Sequence, residues 1–241
     1  QDQFGQTITG DNTTSITVTI EVNPAGGTLT GTLTQTAVAG IATFNDLKIN
    51  NAGVGYKLGA SGGGYTIATS ESFNITPANA AKLRFVSQPV SKEAGGVIGT
   101  MTVEVLDASN NRVTGDNSTQ ISMTFEVNAG GGTLSGTVTK TVASGIAVFN
   151  DLTINKAAAG YKLRATSGAL TAASSEGFTI SPAAANKFSF QVNPSSAVAG
   201  VSISPGVQVV ALDQYDNITP ESGRSVTVAI SSNPGGGTLS G

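Results

Sequence analysis

The 241-residue sequence predicts an all-β fold of tandem two-sheet sandwiches, about 105 residues to the repeat. Three observations predict it. Thr, Ser, Val, Ala and Gly dominate, with 31 glycines and only 11% charged residues. Thr and Val favour pleated, half-buried surfaces, and Gly supplies turns. The apolar fraction, 39%, is too high for a disordered chain, and long Glu/Lys/Leu/Arg helical blocks are missing. A long internal repeat then sets the organisation. Gly27-Thr28-Leu29-Thr30-Gly31 recurs as Gly132-Thr133-Leu134-Ser135-Gly136 and again as Gly237-Thr238-Leu239-Ser240-Gly241. Tyr56, Phe73, Pro77 and Phe85 return as Tyr161, Phe178, Pro182 and Phe190, each 105 positions on. That period exceeds the roughly 20–50 residues of a solenoid unit and fits a whole small domain.

The repeat divides the chain into a partial unit at 1–78 that lacks its first strands, a complete unit at 79–183, and a partial unit at 184–241 that lacks its last strands. The complete unit carries seven candidate strands. Strand A, about 82–88, sets Leu83 and Phe85 on one side and Lys82 and Arg84 on the other; Pro89 ends it, because proline cannot donate to a ladder. Strand B, about 98–106, alternates Met101, Val103 and Val105 with Thr100, Thr102 and Glu104. Strand C, about 119–128, places Ile121, Met123, Phe125 and Val127 inward, and Gly130-Gly131-Gly132 turns the chain. Strand D is a weak Thr/Val stretch near 133–142. Strand E carries Ala147 and Phe149. Strand F carries Tyr161, Leu163 and Ala165 inward with Lys162 and Arg164 outward, and strand G carries Phe178 and Ile180. Alternation of period two between closely spaced turns is the mark of a sandwich.

Tyr161 stands two residues before Leu163 at the start of strand F. An immunoglobulin sandwich places a corner tyrosine there, its phenol bonded to backbone at the E–F corner. An ordinary half-buried aromatic is the alternative. The expected architecture is therefore tandem immunoglobulin-like Greek-key β-sandwiches.

Three stretches together resemble the bacterial immunoglobulin-like repeats, of the invasin type, found in large secreted surface proteins. They are Asn-Pro-x-Gly-Gly-Thr-Leu-x-Gly from Asn23, Gly-Ile-Ala-x-Phe-Asn-Asp-Leu-x-Ile from Gly40 and Gly145, and Gly-Tyr-Lys-Leu from Gly55 and Gly160. Phe190-x-Val192-x-Pro194 with Ala199-Gly200 and Asp213-x-Tyr215-x-Asn217 fits the same group. The resemblance implies an extracellular spacer, stalk or lattice role at the bacterial cell surface.

Composition argues against several functions. With no His and no Cys, the chain holds no Ser-His or Cys-His nucleophile system and no thiolate metal site. The acidic residues are scattered over turns and outward positions, so no enzymatic activity is expected. A net charge of −3 and 5% aromatics offer no basic patch for nucleic acid. No apolar run approaches the roughly 20 residues of a membrane span. There is no signal peptide, and the chain begins at Gln1, which suggests a processed or partial chain.

Calcium is the best small-ligand candidate. Asp107, Asn110, Asn111 and Asp116 crowd the B–C turn, and Asp213, Asp216 and Asn217 repeat the theme. Hard oxygen ligands in a loop suit calcium, yet Asp and Asn are also what tight turns use for local backbone bonding. Asn45-Asp46 and Asn150-Asp151 read as a turn or bulge that restores the inward face between Phe149 and Leu152. Lys57, Lys82, Lys162 and Lys187 alternate with inward apolar residues, which points them away from any isopeptide partner in the core. Sequons at Asn12, Asn74, Asn117 and Asn217 carry little information in so Ser/Thr-rich a chain.

Two functions remain. The first is structural: a stalk, sheath or filament of end-to-end units whose partners are adjoining repeats or copies of the chain. The alternative is an adhesin segment whose loops bind a carbohydrate or a cell-surface protein. Binding predicts loops that differ between copies and carry exposed aromatics, whereas the Gly-Gly-Thr-Leu and Asn-Asp-Leu loops are nearly the same in each copy. The chain opens in one turn and closes in another, so a longer multi-unit object is expected. Strand exchange between subunits would leave one strand C surplus.

Overall fold

The computed structural model describes residues 1–240; Gly241, which closes the third glycine motif, lies outside the described residues. Those residues form strands and turns with no helix, so no helix is long and apolar enough to cross a membrane. The first segment holds β1 (Ser15–Val22), β2 (Leu29–Thr30), β3 (Thr34–Thr36), β4 (Lys48–Ile49), β5 (Gly53–Gly62), β6 (Ala68–Thr69) and β7 (Phe73–Ile75). The middle segment holds β8 (Lys82–Ser87), β9 (Lys92–Glu93), β10 (Met101–Leu106), β11 (Gln120–Val127), β12 (Leu134–Ser135) and β13 (Thr139–Thr141). It continues with β14 (Ile146–Phe149), β15 (Thr153–Ile154), β16 (Ala158–Thr166), β17 (Ala173–Ser174) and β18 (Phe178–Ser181). The last segment holds β19 (Lys187–Val192) and β20 (Gln208–Leu212).

In the middle segment one sheet runs β14-β10-β8 and the other β13-β11-β16-β18-β9, with β17 also on β16. Leu83, Phe85, Met101, Val103, Val105, Ala147 and Phe149 from the first sheet share one core with Ile121, Met123, Tyr161, Leu163, Ala165, Phe178 and Ile180 from the second. The inward residues expected on strands A, B, E, F and G are buried, and Lys162 and Arg164 are exposed. Outward pairs follow the register. Arg84 faces Glu104 across β8 and β10 at 2.7 Å, and Arg164 meets Glu126 at 2.8 Å.

Three details differ from the sequence reading. Val127 is exposed rather than inward, because the ladder slips between Phe125 and Val127; Phe125 stays opposite Leu163, while Val127 lands beside outward Lys162. Strand D is two strands, β12 on β15 and β13 on β11. They are divided at Gly136, whose φ of 105° excludes a side chain at little cost only for glycine. Strand β9 was not foreseen. Its two residues are both exposed, so no alternation marks it, yet it pairs in parallel with β18 while the other strand ladders are antiparallel.

The first segment shows what the missing strands do. Its sheet, β3-β1-β5-β6 with β7 on β5, repeats the second sheet of the middle segment. Ile41-Ala42-Thr43-Phe44 matches the β14 sequence, yet 42–47 lie in no ladder. In the middle segment β14 forms by pairing with β10, and the first segment has no such neighbour. In the last segment β19 and β20 form a hairpin in the register of β8 and β10. The chain exposes 14226 Å². A compact 24.0 kDa globule exposes about 9,900 Å², so the chain buries less surface than one globule of its mass.

Candidate functional site at the segment joints

Turns after β10 and β20 carry the acidic cluster. Asp107 is buried, and its carboxylate accepts the backbone N–H of Asn111 at 2.9 Å, the Asn111 side-chain amide at 2.9 Å and the N–H of Ala78 at 3.0 Å. Ala78 lies in the linker that leads into β8. Asn111 then reaches into the first segment. Its amide donates to the Asn50 carbonyl at 2.9 Å, and its side-chain oxygen accepts the Ala52 N–H at 2.8 Å. One carboxamide thus pairs with backbone in the manner of a strand neighbour.

The same joint recurs between the middle and last segments. Asp213 accepts the N–H groups of Asn217, Tyr215 and Ala183 and the Asn217 side-chain amide, at 2.8–2.9 Å. Asn217 donates to the Asn155 carbonyl at 3.0 Å and accepts the Ala157 N–H at 2.8 Å. This joint has further ties. Lys156 donates to the Tyr215 carbonyl at 2.6 Å and the Tyr215 ring packs on the middle core; within the last segment Lys187 pairs with Asp216 at 2.5 Å. A β-carbon on Gly95, whose φ is 79°, would overlap that ring. Tyr215 is therefore a half-buried packing residue.

The backbone grasped at each joint is itself held. Tyr161 is buried and its phenol donates to the Lys156 carbonyl at 2.9 Å; Tyr56 does the same to Asn51 at 2.9 Å. Burial pushes the Tyr161 phenol pKa up. The corner tyrosine expected from the sequence is in place, and it explains the glycine motif. A β-carbon on Gly132 would sit 3.0 Å from the Tyr161 oxygen, and one on Gly27 would sit 2.7 Å from the Tyr56 oxygen. The loop closes by a two-way bond from Asn128 to Gly132, repeated from Asn23 to Gly27 and from Asn233 to Gly237.

The sequence candidates for calcium fall out as follows. Asp107 and Asp213 face N–H donors, the opposite polarity to a cation. Asn110 and Asp216 are exposed turn tips with φ of 72° and 63°, and Asp216 has its partner in Lys187. Asp116 sits in a separate turn, where it accepts the N–H groups of Ser118 and Thr119 at 3.0 Å. Among the described residues no three acidic side chains gather as metal ligands. Asp151 and Asp46 cap the chain at Thr137 and Thr32, taking both the N–H and the hydroxyl. Asn111 and Asn217, read from the sequence as members of the calcium-candidate turns, instead reach across the joints, a role the sequence reading did not foresee. Their recurrence at Asp-x-x-x-Asn spacing was the available signal, and Asp2…Gln6 is its first copy, with Gln in place of Asn.

Burial raises the pKa of Asp107 and Asp213, but the bonds from the Asn side chains and backbone N–H groups outweigh it and leave both below the ordinary 3.8. A depressed folded pKa contributes stability above the ordinary value, lost as pH falls through the folded one. The joints are therefore expected to hold from neutrality down to the ordinary carboxylate range and to loosen only below pH 3.8. The side-chain amide NMR signals of Asn111 and Asn217 read this directly. Loosening well above that range would contradict it.

No protein-family model matches the chain, and no curated protein matches it. Among solved structures, domains 4–9 of the surface layer protein SbsC share 16% identity, with 91% of this chain and 31% of that one covered and a TM-score of 0.31. A Parabacteroides merdae beta-glucuronidase shares 16% over 67% of this chain and 20% of that one, with a TM-score of 0.32. A beta-glucuronidase from glycoside hydrolase family 2 shares 17% over 88% and 21%, with a TM-score of 0.30. The chain thus spans less than a third of each of these proteins, and likeness at these TM-scores carries no argument.

Proposed function

We propose that this chain is a non-catalytic structural segment of an extracellular bacterial surface protein, a stalk, sheath or filament of immunoglobulin-like units joined end to end. The units are a partial one at 1–78, a complete one at 79–183 and a partial one at 184–241. Sheet order supports the immunoglobulin-like reading: an A–B–E sheet over a C–F–G sheet, with β9 crossing to pair beside β18 and a tyrosine at the E–F corner.

The observation that carries the proposal is the repeated joint. A buried Asp fixes an Asn of its own unit and the linker backbone that enters that unit, and the Asn bonds the corner of the preceding unit. Such a contact sets orientation and spends no side chain on a ligand. Small-angle scattering tests it. An elongated particle of constant cross-section is expected, and a compact globule would overturn the reading.

A further inference from the structure

In the middle segment the first and last strands run the same way and hold each other. The chain enters beside the first joint, where the Ala78 N–H is bonded to Asp107 and Lys82, at the start of β8, lies opposite Leu106. It leaves beside the second joint, where the Ala183 N–H is bonded to Asp213 just after β18. Between those points β8 and β9 lie parallel to the segment that ends in β18. Lys82 bridges Thr171 in parallel; the Leu83 N–H donates to the Thr171 carbonyl at 2.9 Å and the Thr171 N–H to the Ala81 carbonyl at 3.0 Å. Further along, Ile180 pairs with Lys92 and Ser181 with Glu93, and the Ala94 N–H donates to the Ser181 carbonyl at 2.8 Å.

The stretch between those two patches is tied as well. Residues 88–91 cross from the β8 sheet to the β18 sheet and belong to no strand. Side chains bond there instead of backbone. Gln88 accepts the Glu176 N–H through Oε1 at 3.0 Å, and Ser91 accepts the Thr179 N–H through Oγ at 3.0 Å. Both bonds are exposed, so each adds only modestly to equilibrium stability. Their direction is what sets them apart. They join the entering and leaving ends of one unit and complete a single seam from Ala81–Thr171 to Ala94–Ser181.

We propose that this parallel seam is a tension-bearing clamp: a pull along the array is resisted by β8 and β9 held against residues 171–181, with Gln88 and Ser91 closing the gap between the two ladders. The inference rests on the end-to-end reading of the units. Tension draws Ala78 and Ala183 apart, so β8–β9 and β18 are pulled in opposite directions along their own length. Every bond of the seam then stretches at once and none fails alone. An antiparallel pair drawn apart at one end opens one bond at a time instead, and gives way at a lower force.

Single-molecule pulling on the full chain tests this, and the lack of cysteine leaves the attachment points free to choose. Asn79→Cys with Ala184→Cys, both at exposed positions, loads the seam lengthwise. Asn79→Cys with Ser109→Cys peels β8 from β10 at the end where Lys82 meets Leu106. The lengthwise pair is expected to give way at the higher force, in one step that releases roughly 300 Å of chain. Forced unfolding reads the unfolding rate, so Gln88→Ala and Ser91→Ala are each expected to speed it about two- to tenfold at a fixed lengthwise load and to leave the onset of peeling unchanged. Thr139→Ala removes an equally exposed bond off the seam, Ser122 to Thr139 at 3.0 Å, and is expected to change neither. Equal forces in the two directions, no effect of Gln88→Ala and Ser91→Ala, or a Thr139→Ala effect as large as theirs would each overturn the proposal. The pull acts within one unit, so its failure leaves the alignment of the units untouched; small-angle scattering reads that alignment separately.

Discussion

Leu163→Ala is expected to cost about 2–5 kcal/mol, read as a lower denaturation midpoint for the middle segment. Leu163 is fully buried on β16 between the two sheets, opposite Phe125 and within the cluster that includes Phe149 and Tyr161. Truncation removes the transfer energy of its side chain and leaves a cavity that β-sheet neighbours on both sides cannot collapse into. The same substitution at Leu58 makes the comparison internal to one molecule. Leu58 holds the equivalent place but is half-exposed, so in dilute solution it loses little burial and is expected to cost well under half as much. Equal losses at the two positions would contradict the account of the first segment as an uncovered sheet.

Asn111→Ala is expected to free the first joint, whereas Asn217→Ala only weakens the second. Beyond the linker N–H of Ala78 that Asp107 holds, Asn111 makes the hydrogen bonds from the middle segment to the first among the described residues: one to Asn50 and one from Ala52. Removing it leaves those two backbone groups without a partner, each worth about 1–3 kcal/mol where water cannot reach, and takes from Asp107 one of the bonds to an oxygen that the Ala78 N–H still meets. Opening the joint restores water to all of them, so the chain should hinge rather than unfold. At the second joint Lys156 still bonds Tyr215, and the Tyr215 ring still packs over Gly95. Small-angle scattering of the two variants should show a wider spread of dimensions for Asn111→Ala, with the middle segment melting unchanged in both. Equal flexibility, or loss of the middle transition, would count against the joint as described.

Much of the fold was legible in the sequence because alternation and burial coincide. Leu83, Phe85, Val103, Met123, Leu163 and Ile180 show period-two spacing, and each is buried. The corner tyrosine was legible from its place two residues before Leu163. What failed had no local signature. The slip at Phe125–Val127 depends on which partner residue each meets, and β9 is two polar residues that pair only because β18 lies beside them. Segment 41–44 is the reverse case, a strand sequence without a strand, since the ladder needs a neighbour that the segment does not have. The candidate site was half legible. Asp and Asn clusters marked the right turns, but composition could not say whether their oxygens would face a cation or N–H groups.

Each Asn carboxamide reads only a carbonyl and an amide hydrogen of the preceding unit, never a side chain. Lys156 and Asn51 differ at the two corners, yet both corners present the same two backbone groups. A connector of that kind is indifferent to the sequence it grips. The Asn contact therefore asks no matching side chain of the unit before it, whereas the Lys156 and Tyr215 contacts of the second joint do.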